Sequence, residues 1–387
     1  MYFVGIDISK YKHDCAIIDS NNNTFVSNFS FDNNQCGFLS FRDLLSSLDD
    51  STNIKIGFEA TSHYHFNLMF FLDKEGYLFM ELNPVLVNKF ATTQTLRKTK
   101  TDKVDSLAIA KYLSFCDFKP HPSRFYHTFA LKSLSRKRSA LIKQRTIYKI
   151  DLTNILDIIF PEFKPFFNNS FSVTALFILN KYPSLSKIAN MKNHKSLYNI
   201  SRGKFPYARF LKLKQLAKDS IGFDNDLFNF QLMTTLDLLK VLDDKISDID
   251  AKLKNLVDEL NPKTLTIKGV SYIICSAIIS EYGDFSRFKS ADSCLAFAGL
   301  DPAIYQSGTS EHGGKMVKRG SPYLRNALMQ ASESVFLHVP VFTEFYYKKK
   351  VEGKTHRVAL SHVAKKLVRI IYKLETANID FDINIIK

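Results

Sequence analysis

The chain has 387 residues, of which 45% are hydrophobic and 24% are charged, and this balance excludes a largely disordered chain. The formal net charge is +15. Residues 1–120 carry 12 basic and 14 acidic side chains, whereas the remainder carries 41 and 24. The basic remainder predicts a polyanionic partner such as nucleic acid. The alternative is a basic protein whose charge serves only its solubility.

The cysteines and the N-terminus bear on the cellular compartment. Five cysteines, an odd number without a C-x-x-C pair, argue against a disulfide framework and a structural zinc site. Free thiols in a reducing compartment are therefore expected. The N-terminal sequence "MYFVGIDISK" lacks the basic and apolar regions of a signal peptide. No uninterrupted apolar stretch reaches about 18 residues, so no membrane span is predicted.

The first 125 residues alternate short apolar strands with helices. Strands are predicted to begin at or near Tyr2, His13, Thr24, Ile54 and Tyr77, and helices at Gly37 and Asn67. Three strands followed by a helix, a strand, a helix and a strand is the order of a ribonuclease-H-like fold. We therefore predict an α/β domain over residues 1–125.

The middle of the chain is predicted to be helical from Leu131, and Pro161 is predicted to end the first long helix. A later segment spaces its apolar residues alternately by three and four, at Leu239, Leu242, Ile246, Ile249, Leu253, Leu256 and Leu260. This heptad spacing predicts a coiled coil or helical hairpin, with self-association as its use. The alternative is an amphipathic helix packed on a core. Residues 162–220 show no readable motif. The helical coiled-coil region is predicted over 126–262, and a mainly α-helical domain over 263–387.

Four carboxylates in the first domain form a candidate metal site. Asp7 and Glu59 each end an apolar strand, where an acid is unusual without a functional reason. Asp102 and Asp105 lie three residues apart at the start of a predicted helix and would share one face. The alternative is that they are first-turn surface acids, which a helix N-terminus favours. In a ribonuclease-H-like sheet the four would converge on one or two Mg²⁺ ions, with Mn²⁺ as an alternative ion.

Basic residues surround the two helical acids. They are Arg97, Lys98, Lys100 and Lys103. Because they cannot ligate a cation, we expect them to contact the phosphate backbone of a nucleic acid.

A second candidate segment reads "GLDPAIYQSGTSEHGGKMVKRGSPYLRNAL" and contains Ser307. It lacks the G-x-S-x-G context of a serine hydrolase, and by itself it is typical of a flexible polar loop. Basic residues follow the serine, namely Lys315, Lys318, Arg319 and Arg325. They are predicted to bind phosphates, the alternative being a solvated basic face.

As a set, these motifs resemble those of the DEDD-type insertion-sequence transposases (the insertion-sequence family numbered one-ten), with the Piv-type DNA invertases as relatives. The matching pieces are "GIDISK", "FEATSHYH", "NP" at Asn83, "LRKTKTDKVDSLAIA", "LAFAGLDPAIYQSG" and "KRGSPYLRNAL". They occur in the family's order and cover both ends of the chain.

The resemblance implies a RuvC-like N-terminal domain and a C-terminal transposase domain in which Ser307 is the nucleophile. It implies that the protein joins double-stranded donor and target DNA, guided by a bridge RNA that pairs with both. The catalytic residues carried over are Asp7, Glu59, Asp102, Asp105 and Ser307. A homo-dimer or tetramer with a composite active site, and a bacterial cytoplasmic location at the nucleoid, are further implications.

Three alternatives remain open from the sequence. One is a Piv-like site-specific invertase that needs no guide RNA. Another is a Holliday-junction-type nuclease that uses only the four acids. The third is a catalytically idle nucleic-acid-binding protein in which the acids are a remnant.

Overall fold

The computed structural model describes residues 1–48, 53–59, 63–94, 102–121, 125–307, 310–316 and 320–386. Of these, Gln94, Asp102 and residues 125–127, 302–307, 310–316 and 385–386 are described by their backbone alone. The chain divides into two compact units, Met1–Ala130 with Gly283–Ser290, and Leu131–Tyr282 with Ala291–Lys387. The three-domain division at residues 125 and 262 remains a prediction.

The first unit is built on a five-stranded mixed sheet. Its strands are Tyr2–Ile8 (β1), Lys12–Asp19 (β2), Thr24–Asp32 (β3), Ile54–Glu59 (β4) and Leu78–Leu82 (β5). They lie in the order β3–β2–β1–β4–β5. The first three are antiparallel neighbours, while β4 runs parallel to β1 and β5 parallel to β4. The helices of this unit are Gln35–Ser46 (α1), His65–Lys74 (α2), Pro84–Gln94 (α3) and Asp102–Phe115 (α4). The mixed α/β fold predicted for this part of the chain is confirmed.

The two faces of the sheet are covered by different helices, as the alternation of side chains along a strand requires. Val4, Ile6 and Ile8 of β1 belong to a buried core that also contains side chains of α1 and α2. The opposite face, which includes Phe3, packs against Ile109 and Leu113 of α4. Odd-numbered residues of β1 therefore face α4.

Helix α4 approaches β1 closely at Gly5. A Cβ atom at this position would lie 2.2 Å from the amide nitrogen of Ala110 and 2.3 Å from the carbonyl oxygen of Ser106. Both are backbone atoms of α4, so a larger residue could be accommodated only by moving the helix. Glycine at position 5 thus sets the distance between α4 and the sheet.

We expect Gly5→Ala to destabilise the first unit by about 3 kcal/mol, since overpacking against an unyielding backbone costs this much. Gly57→Ala on the neighbouring strand is the matched control. The Cβ atom there would meet the terminal side-chain atoms of Leu113 and Leu82, at 2.8 and 3.1 Å. We expect a smaller loss of stability, because side-chain ends shift more readily than backbone. Urea denaturation followed by circular dichroism measures both variants. Equal stability of Gly5→Ala and the wild type would contradict the packing described here.

The second unit contains one helix of 35 residues and all but the first six residues of another. Phe125–Ile159 (α5) ends just before Pro161, as predicted. Five short helices follow, namely Phe163–Phe167 (α6), Val173–Lys181 (α7), Leu185–Ala189 (α8), His194–Ile200 (α9) and Tyr207–Asp219 (α10). The second long helix is Asp226–Leu260 (α11). Its end is fixed by Asn261, which adopts the left-handed conformation with φ 45° before Pro262.

The long helices α5 and α11 pair with each other in antiparallel orientation. Arg145 Nη1 lies 2.8 Å from Asp243 Oδ1, and the Thr235 hydroxyl donates to Asp151 at 3.0 Å. Residue numbers thus rise along one helix as they fall along the other. Of the predicted seam, Leu239, Ile246 and Leu253 are buried and the others are half-buried or, at Leu260, exposed. Helices α5 and α11 thus lie antiparallel within the chain, and the coiled coil, the helical hairpin and self-association remain predictions.

The C-terminal part of the second unit is mainly helical, as expected. Its helices are Tyr272–Tyr282 (α12), Ala291–Ala298 (α13), Pro322–His338 (α14), Pro340–Val351 (α15) and His356–Ala377 (α16). A two-stranded hairpin of Pro302–Ser307 (β6) and Ser310–Met316 (β7) separates α13 from α14. None of the helices in the described ranges is long and apolar enough to cross a membrane.

Candidate active site

Asp7 and Glu59 lie at the same edge of the sheet. Strands β1 and β4 are parallel, and their register pairs Gly5 with Gly57 and Ile6 with Phe58. Asp7 and Glu59 each follow by one residue and are both half-buried. Because Gly5 and Gly57 both face α4 and side chains alternate along a strand, Asp7 and Glu59 also face α4. The sequence-based expectation that these acids come from neighbouring strands agrees with this register.

Helix α4 runs so that its first turn lies at this acidic edge. Ser106 and Ala110 contact β1 at Gly5. At the far end of the helix, the Ser114 hydroxyl donates to Asn22 at 3.1 Å. Asn22 follows β2, beyond the point where Asp19 pairs with Tyr2 at the start of β1. The helix is therefore antiparallel to β1, and Asp105, one residue before Ser106, lies toward the carboxyl end of that strand.

Three of the four predicted acids, Asp7, Glu59 and Asp105, thus lie toward one edge and one face of the first unit. Asp102 is the first residue of α4, and its side chain lies outside the described residues. Among the side chains that are described, no three His, Cys, Asp or Glu residues form a group that could hold a metal ion. The chemistry of the donor set, carboxylate oxygens only, fits a hard divalent cation such as Mg²⁺.

Asp14 is an acid at this edge that sequence reasoning missed. It lies directly opposite Asp7 in the antiparallel β1–β2 register, so both side chains are on the same face of the sheet. Asp14 is 4% exposed. Lys12 Nζ lies 3.2 Å from its carboxylate, and the Ser30 hydroxyl donates to it. Like charges opposite one another are unfavourable, and these two contacts offset the charge of Asp14.

The neighbouring His13 does not contribute positive charge near neutral pH. Its ring is buried between aromatic side chains on the opposite face of the sheet, with Phe31 at 5.2 Å. Burial lowers the pKa of His13 to about 4, and the opposing effects of Asn33 and Asp14 are smaller. Lys12 is therefore the cation that balances Asp14 from this strand.

The predicted basic residues are described only in part. Lys103 lies on α4 and is exposed, so it is available to an external anion beside the acids. Arg97, Lys98 and Lys100 precede the helix and lie outside the described residues. Their assignment to a phosphate backbone therefore stays a prediction.

In the second unit, Ser307 is the last residue of β6. Its backbone pairs with that of Ser310 at the start of β7. Ser307 is therefore at the turn end of the hairpin. This segment by itself was expected to be a loop, and that expectation is wrong for its backbone. Lys315 lies on β7, and its side chain is not described. Lys318 and Arg319 lie outside the described residues.

The base of the hairpin is fixed by Gly320 and Arg325. A Cβ atom at Gly320 would lie 2.1 Å from the carbonyl oxygen of Phe297, so only glycine allows this approach. Arg325 Nη1 donates to the carbonyl oxygens of Ala298 and Gly320, each at 3.2 Å. Arg325 is half-buried and links the backbone before the hairpin, at Ala298, to the backbone after it, at Gly320. Its predicted phosphate contact would use the remaining donors of the guanidinium group.

An ion pair between the buried Glu281 and the partly exposed Arg136 lies next to the start of α14. Glu281 is 4% exposed, and its carboxylate accepts two hydrogen bonds from Arg136, at 2.6 and 3.0 Å. Burial alone would raise the pKa of Glu281. Hydrogen bonds from Arg136 and Ser321, with the charge of Lys132, outweigh it and lower the pKa. Ser321 also caps α14, and Arg136 lies over the ring of Tyr323 at 5.0 Å. The network links α5, α12 and α14.

Comparisons with known proteins identify both segments. Residues 4–161 match a family model described as "Transposase" of the DEDD type of IS110, and residues 263–347 match "Transposase IS116/IS110/IS902 family". The "Pilin gene-inverting protein" of Moraxella bovis is 24% identical over 98% of this chain and 97% of its own length. The "Insertion element IS116 uncharacterized 44.8 kDa protein" of Streptomyces clavuligerus is 21% identical over 96% and 94%. The "Transposase for insertion sequence element IS1111A" of Coxiella burnetii is 28% identical over 35% and 38%.

The two matched segments contain the acidic edge and the serine hairpin, respectively. A sheet with acids at its carboxyl edge and a second transposase segment define an enzyme that rearranges DNA, a transposase or recombinase. Residues 4–161 and 263–347 are therefore IS110-family transposase domains. The resemblance inferred from the sequence motifs is confirmed.

Proposed function

We propose that the protein breaks and joins double-stranded DNA by attack of the Ser307 hydroxyl on a phosphodiester, assisted by a divalent ion at the carboxylate edge. The observation that carries this proposal is the packing of α4 onto Gly5. It brings Asp105 to the edge where Asp7 and Glu59 end parallel strands. The strand order β3–β2–β1–β4–β5 supports a ribonuclease-H-like, RuvC-like assignment of this unit.

The residues have distinct roles in this proposal. Asp7, Glu59, Asp102 and Asp105 would hold one or two Mg²⁺ ions, with Mn²⁺ as the alternative ion. When bound, such an ion neutralises phosphate charge and favours the deprotonated form of an attacking hydroxyl. Lys103 and the basic residues around Ser307 would position the DNA through its phosphates. Lys12 and Ser30 contact Asp14 and so stabilise β2 beside Asp7.

The chemical step conserves the energy of the phosphodiester. The Ser307 oxygen forms a bond to phosphorus, and the bond from phosphorus to one deoxyribose oxygen breaks. That oxygen leaves with the electron pair and takes up a proton. The phosphoserine link can be attacked by a deoxyribose hydroxyl of another strand in the reverse sense, so strands can rejoin without ATP. A bridge RNA and a homo-oligomer with a composite active site belong to the same proposal.

A Piv-like inversion without guide RNA is the second candidate. It is favoured by the pilin gene-inverting protein, whose match extends over 98% of this chain. Inversion and transposition use the same chemistry and differ in how the DNA sites are chosen.

An in vitro joining assay separates the two candidates. Purified protein is incubated with Mg²⁺, donor and target DNA, with and without RNA transcribed from the sequences that flank the gene. We expect joined DNA only when this RNA is present, because the RNA would choose the sites. An unrelated RNA of equal length is the control. Equal joining without RNA would support the invertase, and cutting without joining would support the nuclease.

A further inference from the structure

The short helices α6 to α10 carry an unusual charge distribution. Residues 163–218 contain eleven basic side chains and no acidic one. The cations are Lys164, Lys181, Lys187, Lys192, Lys195, Arg202, Lys204, Arg209, Lys212, Lys214 and Lys218. The same helices have a well-formed apolar core, which includes Phe163, Phe205 and Phe210. The segment is folded, so its basic composition is not that of a disordered chain.

Two of the eleven cations donate hydrogen bonds inside this subdomain, residues 163–218, and Lys181 lies over the rings of Phe177 and Tyr182. Arg209 donates to the carbonyl oxygen of Phe166 at 3.1 Å and lies over its ring. Lys214 Nζ donates to the carbonyl oxygen of Met191 at 2.7 Å. Both are half-buried, whereas the other nine cations are exposed. Among the described residues, none of these nine forms an ion pair. Their mutual repulsion is unfavourable in isolation and would be relieved by a polyanion.

Four of the exposed cations lie at the two ends of the segment 194–205, which a hydrogen bond closes. His194 Nε2 and the carbonyl oxygen of Phe205 are 2.9 Å apart, so the two ends of the α9 loop meet. Lys192, Lys195, Arg202 and Lys204 flank these ends; we call them the loop cations. The loop also turns through Arg202 and Gly203, which have φ of 53° and 80°. The closing hydrogen bond holds the backbone ends that carry these cations close together, so less backbone ordering is needed when they bind an anion.

We propose that this subdomain is a separate nucleic-acid-binding site, at which the loop cations contact the phosphate backbone. The proposal rests on the proposed function only for the class of partner. Lysine and arginine on an exposed surface neutralise phosphates without reading bases. Tyr198 and Tyr207 are 47% and 57% exposed in the same region and could stack on unpaired bases. Duplex DNA and structured RNA share the phosphate chemistry that this surface recognises.

The test compares the salt dependence of binding. Lys192, Lys195, Arg202 and Lys204 are replaced together by glutamine in the full chain. Fluorescence anisotropy then measures the binding of a duplex DNA and of an RNA hairpin at several salt concentrations. Because each phosphate contact on duplex DNA contributes about −0.9 to the slope of log K against log salt, we expect the slope to fall in magnitude by about three to four units. A change with only one probe identifies that nucleic acid as the ligand.

The matched control removes four exposed lysines from α11, namely Lys240, Lys245, Lys252 and Lys254, which lie on a helix rich in acids. We expect this variant to keep the wild-type slope. Circular dichroism verifies that both variants are folded. Equal slopes for the two variants with both probes would overturn the proposal. Failure of the wild-type protein to join DNA, together with a slope difference between the two variants, would contradict the proposed function and leave this site standing.

Discussion

Replacing Asp105 by asparagine will reduce DNA cleavage and joining by about 10³-fold or more, the loss typical when a preorganised charge is removed from a catalytic site. The amide keeps the shape of the side chain and the packing of α4 on Gly5. It removes one of the charges that gather at the edge formed by β1 and β4. We expect the same loss for Asp102→Asn, because it lies three residues earlier on the same helix.

Asp117→Asn is the control for this prediction. Asp117 lies in the same unit just beyond α4, with its carboxylate 81% exposed and 3.7 Å from Lys119. It is far along the helix from the acidic edge, so its replacement should leave the activity unchanged. The measurement is the rate of DNA joining in Mg²⁺, repeated in Mn²⁺. Full activity of Asp105→Asn with either ion would show that the helical acids are not needed.

Replacing Ser307 by alanine will abolish the covalent protein–DNA adduct and DNA joining, while DNA binding persists. Without the hydroxyl no bond to phosphorus can form from this residue, and the basic surfaces remain. We expect the adduct to fall below the detection limit of denaturing electrophoresis with labelled DNA. The four carboxylates are untouched in this variant, so any strand cutting that survives must come from them alone.

Ser310→Ala provides the matched control for the serine prediction. Ser310 faces Ser307 across the hairpin in the backbone register, so both substitutions perturb β6 and β7 alike. We expect Ser310→Ala to form the adduct at the wild-type level. If the adduct forms in Ser307→Ala and is lost in Ser310→Ala, the nucleophile is Ser310 and not Ser307. Unchanged cutting in both variants would favour the nuclease alternative.

The position of the strand acids could be predicted because strand ends are readable. Apolar runs that end in Asp7 and Glu59, separated by a helix, imply parallel neighbours whose carboxyl ends meet. Asp14 was not predicted from the sequence, because it lies at the third position of β2 rather than at a strand end and belongs to none of the motifs. Its period-two alternation with Ala16 and Ile18 was the available signal. Lys12 and Ser30 could not be foreseen as its partners without the register of the sheet.

The heptad spacing of α11 predicted a seam but not its partner. A repeat of apolar residues is equally satisfied by a second chain or by another helix of the same chain. Arg138 and Arg145 interrupt the apolar pattern of α5, and the structure pairs them with Asp250 and Asp243. Charges on both helices thus select the antiparallel pairing, which apolar spacing alone leaves open.

Residues 162–220 were unreadable because their helices are short. Helices of five to nine residues, such as α6, α8 and α9, do not span enough turns to show a period. Their boundaries come from side-chain caps, for example Ser184 and Asn193. Their stability comes from buried aromatic residues that are distant in sequence. The absence of acidic residues from 163–218 was visible in the sequence, and the structure adds which cations are exposed.

The most direct test of the recombinase proposal is to identify the residue that becomes linked to DNA. Protein is incubated with Mg²⁺, DNA and the flanking RNA, the adduct is digested with nuclease and protease, and the linked peptide is read by mass spectrometry. The predicted result is a nucleotide attached through phosphate to Ser307, absent when Asp105 is replaced by asparagine. Cleaved DNA with free ends and no linked peptide, or a link at another residue, would contradict it.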